Sequence, residues 1–244
     1  RNNYKARLVA RGFTQRKGVD YSETYAHVAS QCAIRTFLVK AAIDDLELWQ
    51  IDIKSAFLNA KLDTPIKMRP PPGFRQTGFI WLLKKAVYGL KQASREWEKT
   101  LKIFLESLGY QRITGDNCVF RKPDVFLIIY VDDILIAASN MPDIETLVKE
   151  FKQRFEIHEI GQPKRFVGQS IIRDRQKRII YLHQMNYIEN SLLRFGLENC
   201  KEMDILQKYE PIESNRSCPK KVIQEMLGCL QYLACKTRPD IVYI

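Results

Sequence analysis

The chain has 244 residues, 45% of them apolar, which is enough for one large domain or two small ones with a buried core. Its formal charge of +11 points to a polyanionic partner such as nucleic acid, although a merely basic surface would read the same. No window approaches the roughly 18 uninterrupted apolar residues of a membrane span. The basic, mixed residues 1–11 lack the apolar stretch of a signal peptide, so the sequence reads as soluble and intracellular.

In chain order, β-branched and aromatic residues predict strands over 4–10 and 48–53, and 3.6-residue apolar spacing predicts a helix over Gln31–Ile43 between them. A loop over 69–76 follows, carrying Pro70, Pro71, Pro72 and Gly73, and then a strand over 79–83. Trp97, Leu101, Phe104, Leu105 and Leu108 share one helical face, with Gly109 as the stop. Apolar runs at Val125–Tyr130 and 134–138 predict a hairpin. Ile144, Leu147, Val148 and Phe151 form a second helical stripe after Pro142. Strands at 166–172 and 178–182 precede helices at 184–195 and 221–236, and the polar stretch 201–219 separates those two helices. Strands interleave with helices, so the class is α+β or α/β. The order from 48 to 160 suits an antiparallel sheet with two helices on one face, close to a split βαβ arrangement.

The six cysteines, Cys32, Cys118, Cys200, Cys218, Cys229 and Cys235, form no CxxC pair and no zinc-spaced cluster. They read as reduced core thiols rather than a disulfide framework.

The sharpest feature is Tyr130-Val131-Asp132-Asp133, two adjacent carboxylates between apolar strands. The simplest geometry is a tight hairpin with both Asp residues at its bend. Such turns favour Asn-Gly or Asp-Gly, and with no glycine here the bend is expected to be strained. A solubilising turn would also carry Asp. Asp52, at the end of the 48–53 strand, supplies a third carboxylate if that strand lies beside the hairpin. Three converging carboxylates call for a cation, and oxygen ligands suit magnesium or manganese rather than zinc. Two such ions, roughly 4 Å apart, can activate a 3′-hydroxyl and stabilise a leaving pyrophosphate.

Several stretches together resemble the reverse transcriptases of copia-type retrotransposons. Tyr130-Val131-Asp132-Asp133 resembles their motif C, and Asp52-Ile-Lys-Ser-Ala-Phe57-Leu-Asn their motif A. Lys5-Ala-Arg7-Leu-Val-Ala-Arg11-Gly12 resembles the fingers motif, and Tyr88-Gly89-Leu90-Lys91-Gln92 lies in a match to motif B. The segment from Leu227 to Thr237-Arg238-Pro239-Asp240 resembles the one that closes the polymerase region.

The resemblance implies an α+β right-hand polymerase fold with a split-βαβ palm, partial fingers and a helical thumb. Fingers would span about 1–47 and 61–90, palm with primer grip 48–60 and 91–182, and thumb or connection 183–244. It implies an RNA-directed DNA polymerase using two Mg2+ ions (Mn2+ as the alternative), an RNA template, a DNA primer and deoxynucleoside triphosphates. Asp52 and Asp132 would hold both metals, with Asp133 in support and the Ile53 carbonyl as a further ligand. Phe57 would be a steric gate against a 2′-hydroxyl; from the residues alone it reads as core. Arg7 and Lys5 would grip the triphosphate, and their alternative is a solvated strand edge. Gln92 would lie near the nucleotide, and Tyr130, Gly89 and Lys91 by the primer–template. Arg173, Arg175, Lys177 and Arg178 form a basic turn that meets phosphate or simply solvent. Location would be a cytoplasmic virus-like particle or the nucleus.

The sequence departs from the family pattern at His27, Ser30, Lys67, Ser94 and Glu98, and after Cys200. With no ribonuclease H segment in view, it reads as a polyprotein fragment or a truncated copy. The competing readings are a copy that binds nucleic acid without polymerising and an unrelated metal-dependent phosphotransferase. The second leaves the fingers and motif B matches unexplained.

Overall fold

The computed structural model describes residues 4, 6–74, 78–201 and 219–242. The chain divides into two units, Arg1–Pro163 with Arg175–Arg178, and Lys164–Asp174 with Ile179–Ile244.

In the first unit the order is α1 (Gln31–Ile43), β1 (Glu47–Ile53), α2 (Ala56–Asn59), β2 (Lys61–Met68), β3 (Trp81–Lys85), α3 (Ala93–Ser107), β4 (Gln111–Ile113), β5 (Asp116–Lys122), β6 (Val125–Tyr130), β7 (Asp133–Ala138), α4 (Met141–Arg154) and β8 (Ile157–Gly161). A six-stranded sheet runs β4-β5-β6-β7-β1-β8, and its neighbouring strands pair antiparallel. β2 and β3 form a separate two-stranded ribbon.

The helices begin where the sequence supplies caps. Ser30 Oγ accepts the Ala33 N–H at the start of α1, and Asn140 Oδ1 accepts the Asp143 N–H at the start of α4. One face of the sheet packs Leu127, Ile129, Ile134 and Ile136 against Trp97, Leu101 and Leu105 of α3 and Ile144, Leu147 and Phe151 of α4, as expected. The opposite face is covered too: Phe37 and Lys40 of α1 lie over Phe126 and Ala137. Burial on both faces is why β6 and β7 read as continuous apolar runs rather than alternating ones.

The second unit contains a three-stranded sheet of β9 (Arg165–Phe166), β10 (Gln169–Asp174) and β11 (Ile179–His183), with helices α5 (Met185–Phe195) and α6 (Lys220–Lys236). The strand expected over 166–172 is broken, because Val167 and Gly168 both take positive φ, +46° and +77°. A Cβ on Gly168 would stand 2.2 Å from the Tyr232 hydroxyl, so a side chain there would displace Tyr232.

Two expectations are corrected. Residues 6–10 form no strand; Val9 makes only an isolated bridge to Tyr88, since the segment has no continuous partner. Among the described cysteines none is paired, but only Cys118 is buried, while Cys32, Cys200 and Cys235 are exposed. Within the basic turn, Arg175 binds Asp45 at 2.9 Å and Glu47 at 2.7 Å, and Arg178 donates to the Ile43 carbonyl at 2.8 Å, while both side chains stay exposed.

Candidate active site

The strand pairing sets Asp52 opposite Asp133, with Asp132 in the adjoining turn. Asp52 and Asp133 are direct cross-strand partners in the β1–β7 ladder, and Tyr130 and Asp133 close the β6–β7 hairpin. Directly opposed residues project on the same face, with Cβ atoms about 5 Å apart. Val131 and Asp132 form the two-residue turn between them. Val131 holds φ +59° and Asp132 has no positive φ, the signature of a type II′ turn, which favours glycine at its first central position. The expected strain is present, and it falls on a β-branched residue.

Asp52 and Asp132 share a cleft of about 750 Å³ with Ile53, Arg7, Tyr88 and His158. Asp133 faces Gln50, whose Nε2 stands 3.4 Å from its Oδ1. Burial raises the Asp133 carboxyl above its usual range; the Gln50 hydrogen bond opposes this, and the charges of Asp132 and Asp52 reinforce it. Among the described residues, no three His, Cys, Asp or Glu side chains are gathered as a ready-made metal site. Two carboxylates in one cleft and a third beside them still fit a hard divalent cation. The donors are oxygens, and a cation would offset the mutual repulsion that helps to raise Asp133.

The remaining expected residues are placed differently. Phe57 is half-buried and meets the Tyr88 ring edge-on at 5.0 Å, while the Arg7 guanidinium lies over the other ring partner, Tyr88, at 5.7 Å. Arg7, Tyr88 and Phe57 thus form a row that enters the cleft through Arg7 and Tyr88. Lys5 lies outside the described residues.

Gln92 is not in the cleft. It is 5% exposed; its Nε2 donates to the Asp20 carbonyl at 3.0 Å and its Oε1 accepts from Gln15 Nε2 at 3.0 Å. Lys91 is drawn to the same segment, with its N–H on Gln15 Oε1 at 2.8 Å and its ammonium 3.2 Å from the Tyr21 hydroxyl. Gly89, at φ +89°, lets the chain cross itself: a Cβ there would stand 2.1 Å from the Ala10 carbonyl oxygen. Tyr130 ends β6, half-buried, outside the cleft lining.

Sequence reasoning missed His158. It is the cross-strand partner of Asp52 on β8 and lines the cleft. Its strand, Ile-His-Glu-Ile-Gly, is a polar edge strand with little apolar signal, so nothing local gave its position away.

A family model described as reverse transcriptase (RNA-dependent DNA polymerase) matches residues 1–209. The chain is 35% identical over 258 residues to the Retrovirus-related Pol polyprotein from transposon TNT 1-94 of Nicotiana tabacum, covering 98% of this chain and 19% of that protein. Against the Pol polyprotein from transposon RE1 of Arabidopsis thaliana it is 34% identical over 253 residues, 99% of this chain and 17% of that one. The Transposon Ty1-JR2 Gag-Pol polyprotein of Saccharomyces cerevisiae is 26% identical, over 98% of this chain and 15% of its own length. The chain therefore spans under a fifth of the length of these relatives.

Proposed function

Because the chain belongs to the reverse transcriptase (RNA-dependent DNA polymerase) family, we propose that it extends a DNA primer on an RNA template, as the polymerase portion of a copia-type Pol polyprotein. The observation that carries this reading is the pairing of Asp52 with Asp132 in one cleft, with the cationic side chain of Arg7 at its wall.

In this reading Asp52 and Asp132 hold two divalent cations, Mg2+ or Mn2+, and the Ile53 carbonyl supplies a further oxygen. Bound there, the metals would lower the pKa of the primer hydroxyl and neutralise the departing pyrophosphate. Asp133 supports the pair from across the β1–β7 ladder, held by Gln50. Arg7 presents a planar, permanently charged fork to the triphosphate. Phe57 acts through Tyr88: the two rings in contact set how close a sugar can approach. Gln92 and Lys91 act indirectly, by fixing residues 15–21 against motif B. Gly89 acts by admitting the segment that carries Arg7. Tyr130 would meet the primer–template beside the turn.

The antiparallel sheet with α3 and α4 is read as the palm, the segment around Arg7 and the β2–β3 ribbon as fingers, and α5 and α6 as the thumb. The test is primer extension on an RNA template with and without magnesium, alongside salt-dependent binding to an RNA/DNA hybrid. Magnesium-dependent extension supports the reading; binding with no extension favours a nucleic-acid-binding copy instead.

A further inference from the structure

Both peptide carbonyls of the turn that carries Asp132 are tied down. The Asp132 carbonyl accepts the N–H of Ile53 from β1 at 2.9 Å. The Val131 carbonyl accepts the indole N–H of Trp97 from α3 at 2.7 Å. A two-residue turn leaves these carbonyls outside the ladder that Tyr130 and Asp133 close, so each needs another partner.

Trp97 is well suited to the task. It is 2% exposed, and its ring stands edge-on to Phe155 with centroids 5.4 Å apart, so the direction of its N–H is fixed. The indole has a single donor and no acceptor, so it can serve only one purpose. Val131 and Trp97 also border a cavity of about 350 Å³, so packing on that side does not by itself hold the turn. Val131 keeps φ +59°, which a β-branched residue leaves readily unless something restrains it.

We propose that Trp97 is a positioning residue of the polymerase site: its indole N–H holds the Val131 carbonyl, keeps the turn in its strained form and so sets where the Asp132 carboxylate stands in the cleft. The inference rests on the reading of Asp132 as a metal-holding carboxylate.

The test is a kinetic cycle on the whole chain, read by primer extension. Trp97→Phe keeps the ring and removes the N–H. It should lower kcat about tenfold and leave the nucleotide KM within about twofold, the sign of an interaction that serves the reacting geometry. Val131→Gly relieves the need for restraint, because glycine accepts positive φ freely. In that background Trp97→Phe should lower kcat by less than about twofold. Leu101→Ala, on the same helix and also 2% exposed, is the control: it should lower Tm at least as much as Trp97→Phe and leave kcat unchanged. Wild-type kcat in Trp97→Phe, an undiminished loss in the Val131→Gly background, or an equal loss in Leu101→Ala would each overturn the proposal. Asp132→Asn separates the two levels. If it still extends primers, the site reading is wrong; if it is inactive while Trp97→Phe matches wild type, only the role of Trp97 fails.

Discussion

His27 and Glu98 grip each other twice: the His27 backbone N–H donates to Glu98 Oε2 at 2.8 Å, and the ring Nδ1 lies 2.8 Å from Oε1. Arg112 adds a third contact to the same carboxylate at 2.7 Å, and Asn117 holds the far ring nitrogen at 2.8 Å. In the sequence both positions read as departures from the copia-type pattern, and the fold joins them in one contact. Glu98→Gln should cost about 1–3 kcal/mol, since it sets an amide against donors that want a carboxylate. His27→Pro removes the backbone donor. Urea melts of the double variant should show a loss smaller than the sum of the single losses.

The same carboxylate predicts a pH dependence. Burial pushes Glu98 up, but the His27 backbone and side-chain hydrogen bonds and the Arg112 contact outweigh it, and the net shift is downward. A depressed carboxyl contributes stability above its unfolded-state pKa, and loses it as pH falls through the lowered folded value. The stability difference between wild type and Glu98→Gln should therefore be level near neutrality and shrink below about pH 4. A difference that grows on acidification would contradict this.

Asp133 has the opposite sign. Burial and the Asp132 and Asp52 charges, opposed by Gln50, hold its carboxyl above the usual range, so its ionised form costs stability at neutral pH. Asp133→Asn should raise Tm at pH 7 while lowering primer extension. Scanning calorimetry in metal-free buffer, beside an extension assay, checks both halves.

Gly89→Ala should be severe. It places a Cβ 2.1 Å from the Ala10 carbonyl oxygen at a φ of +89°, so residues 6–12 must shift and carry Arg7 with them. The expected result is a stability loss of about 2 kcal/mol or more and a higher nucleotide KM. Arg7→Ala should reproduce the KM change without the stability loss.

Phe57→Ala opens the contact with Tyr88. Discrimination between deoxy- and ribonucleoside triphosphates should fall by about 10-fold to 100-fold, measured as the ratio of kcat/KM values. Unchanged discrimination with lowered Tm would make Phe57 a core residue only.

What the sequence revealed followed from local physics. The β6–β7 hairpin was legible because two fully apolar runs flank Asp132 and Asp133, and α1 because the apolar spacing from Gln31 to Ile43 marks it. A strand closing near Ile160 was expected and is β8, whereas β5 escaped notice because polar residues such as Asp116, Asn117 and Arg121 stand among its apolar ones. β2 carries Pro65 within its run, which argues against a strand except at an edge. The burial of Gln92 depends on Gln15, 77 residues away, and no local pattern encodes such a partner. The three Asp residues stood out in the sequence, but the division between two in the cleft and one facing Gln50 depends on β1–β7 register.

The most direct measurement is single-turnover extension of a DNA primer on an RNA template by the wild-type chain and by Asp132→Asn, each with and without magnesium. Wild type should show magnesium-dependent extension, and Asp132→Asn a loss of at least about 100-fold with binding to the RNA/DNA hybrid retained. Extension by Asp132→Asn at the wild-type rate would contradict the metal-holding role of Asp132.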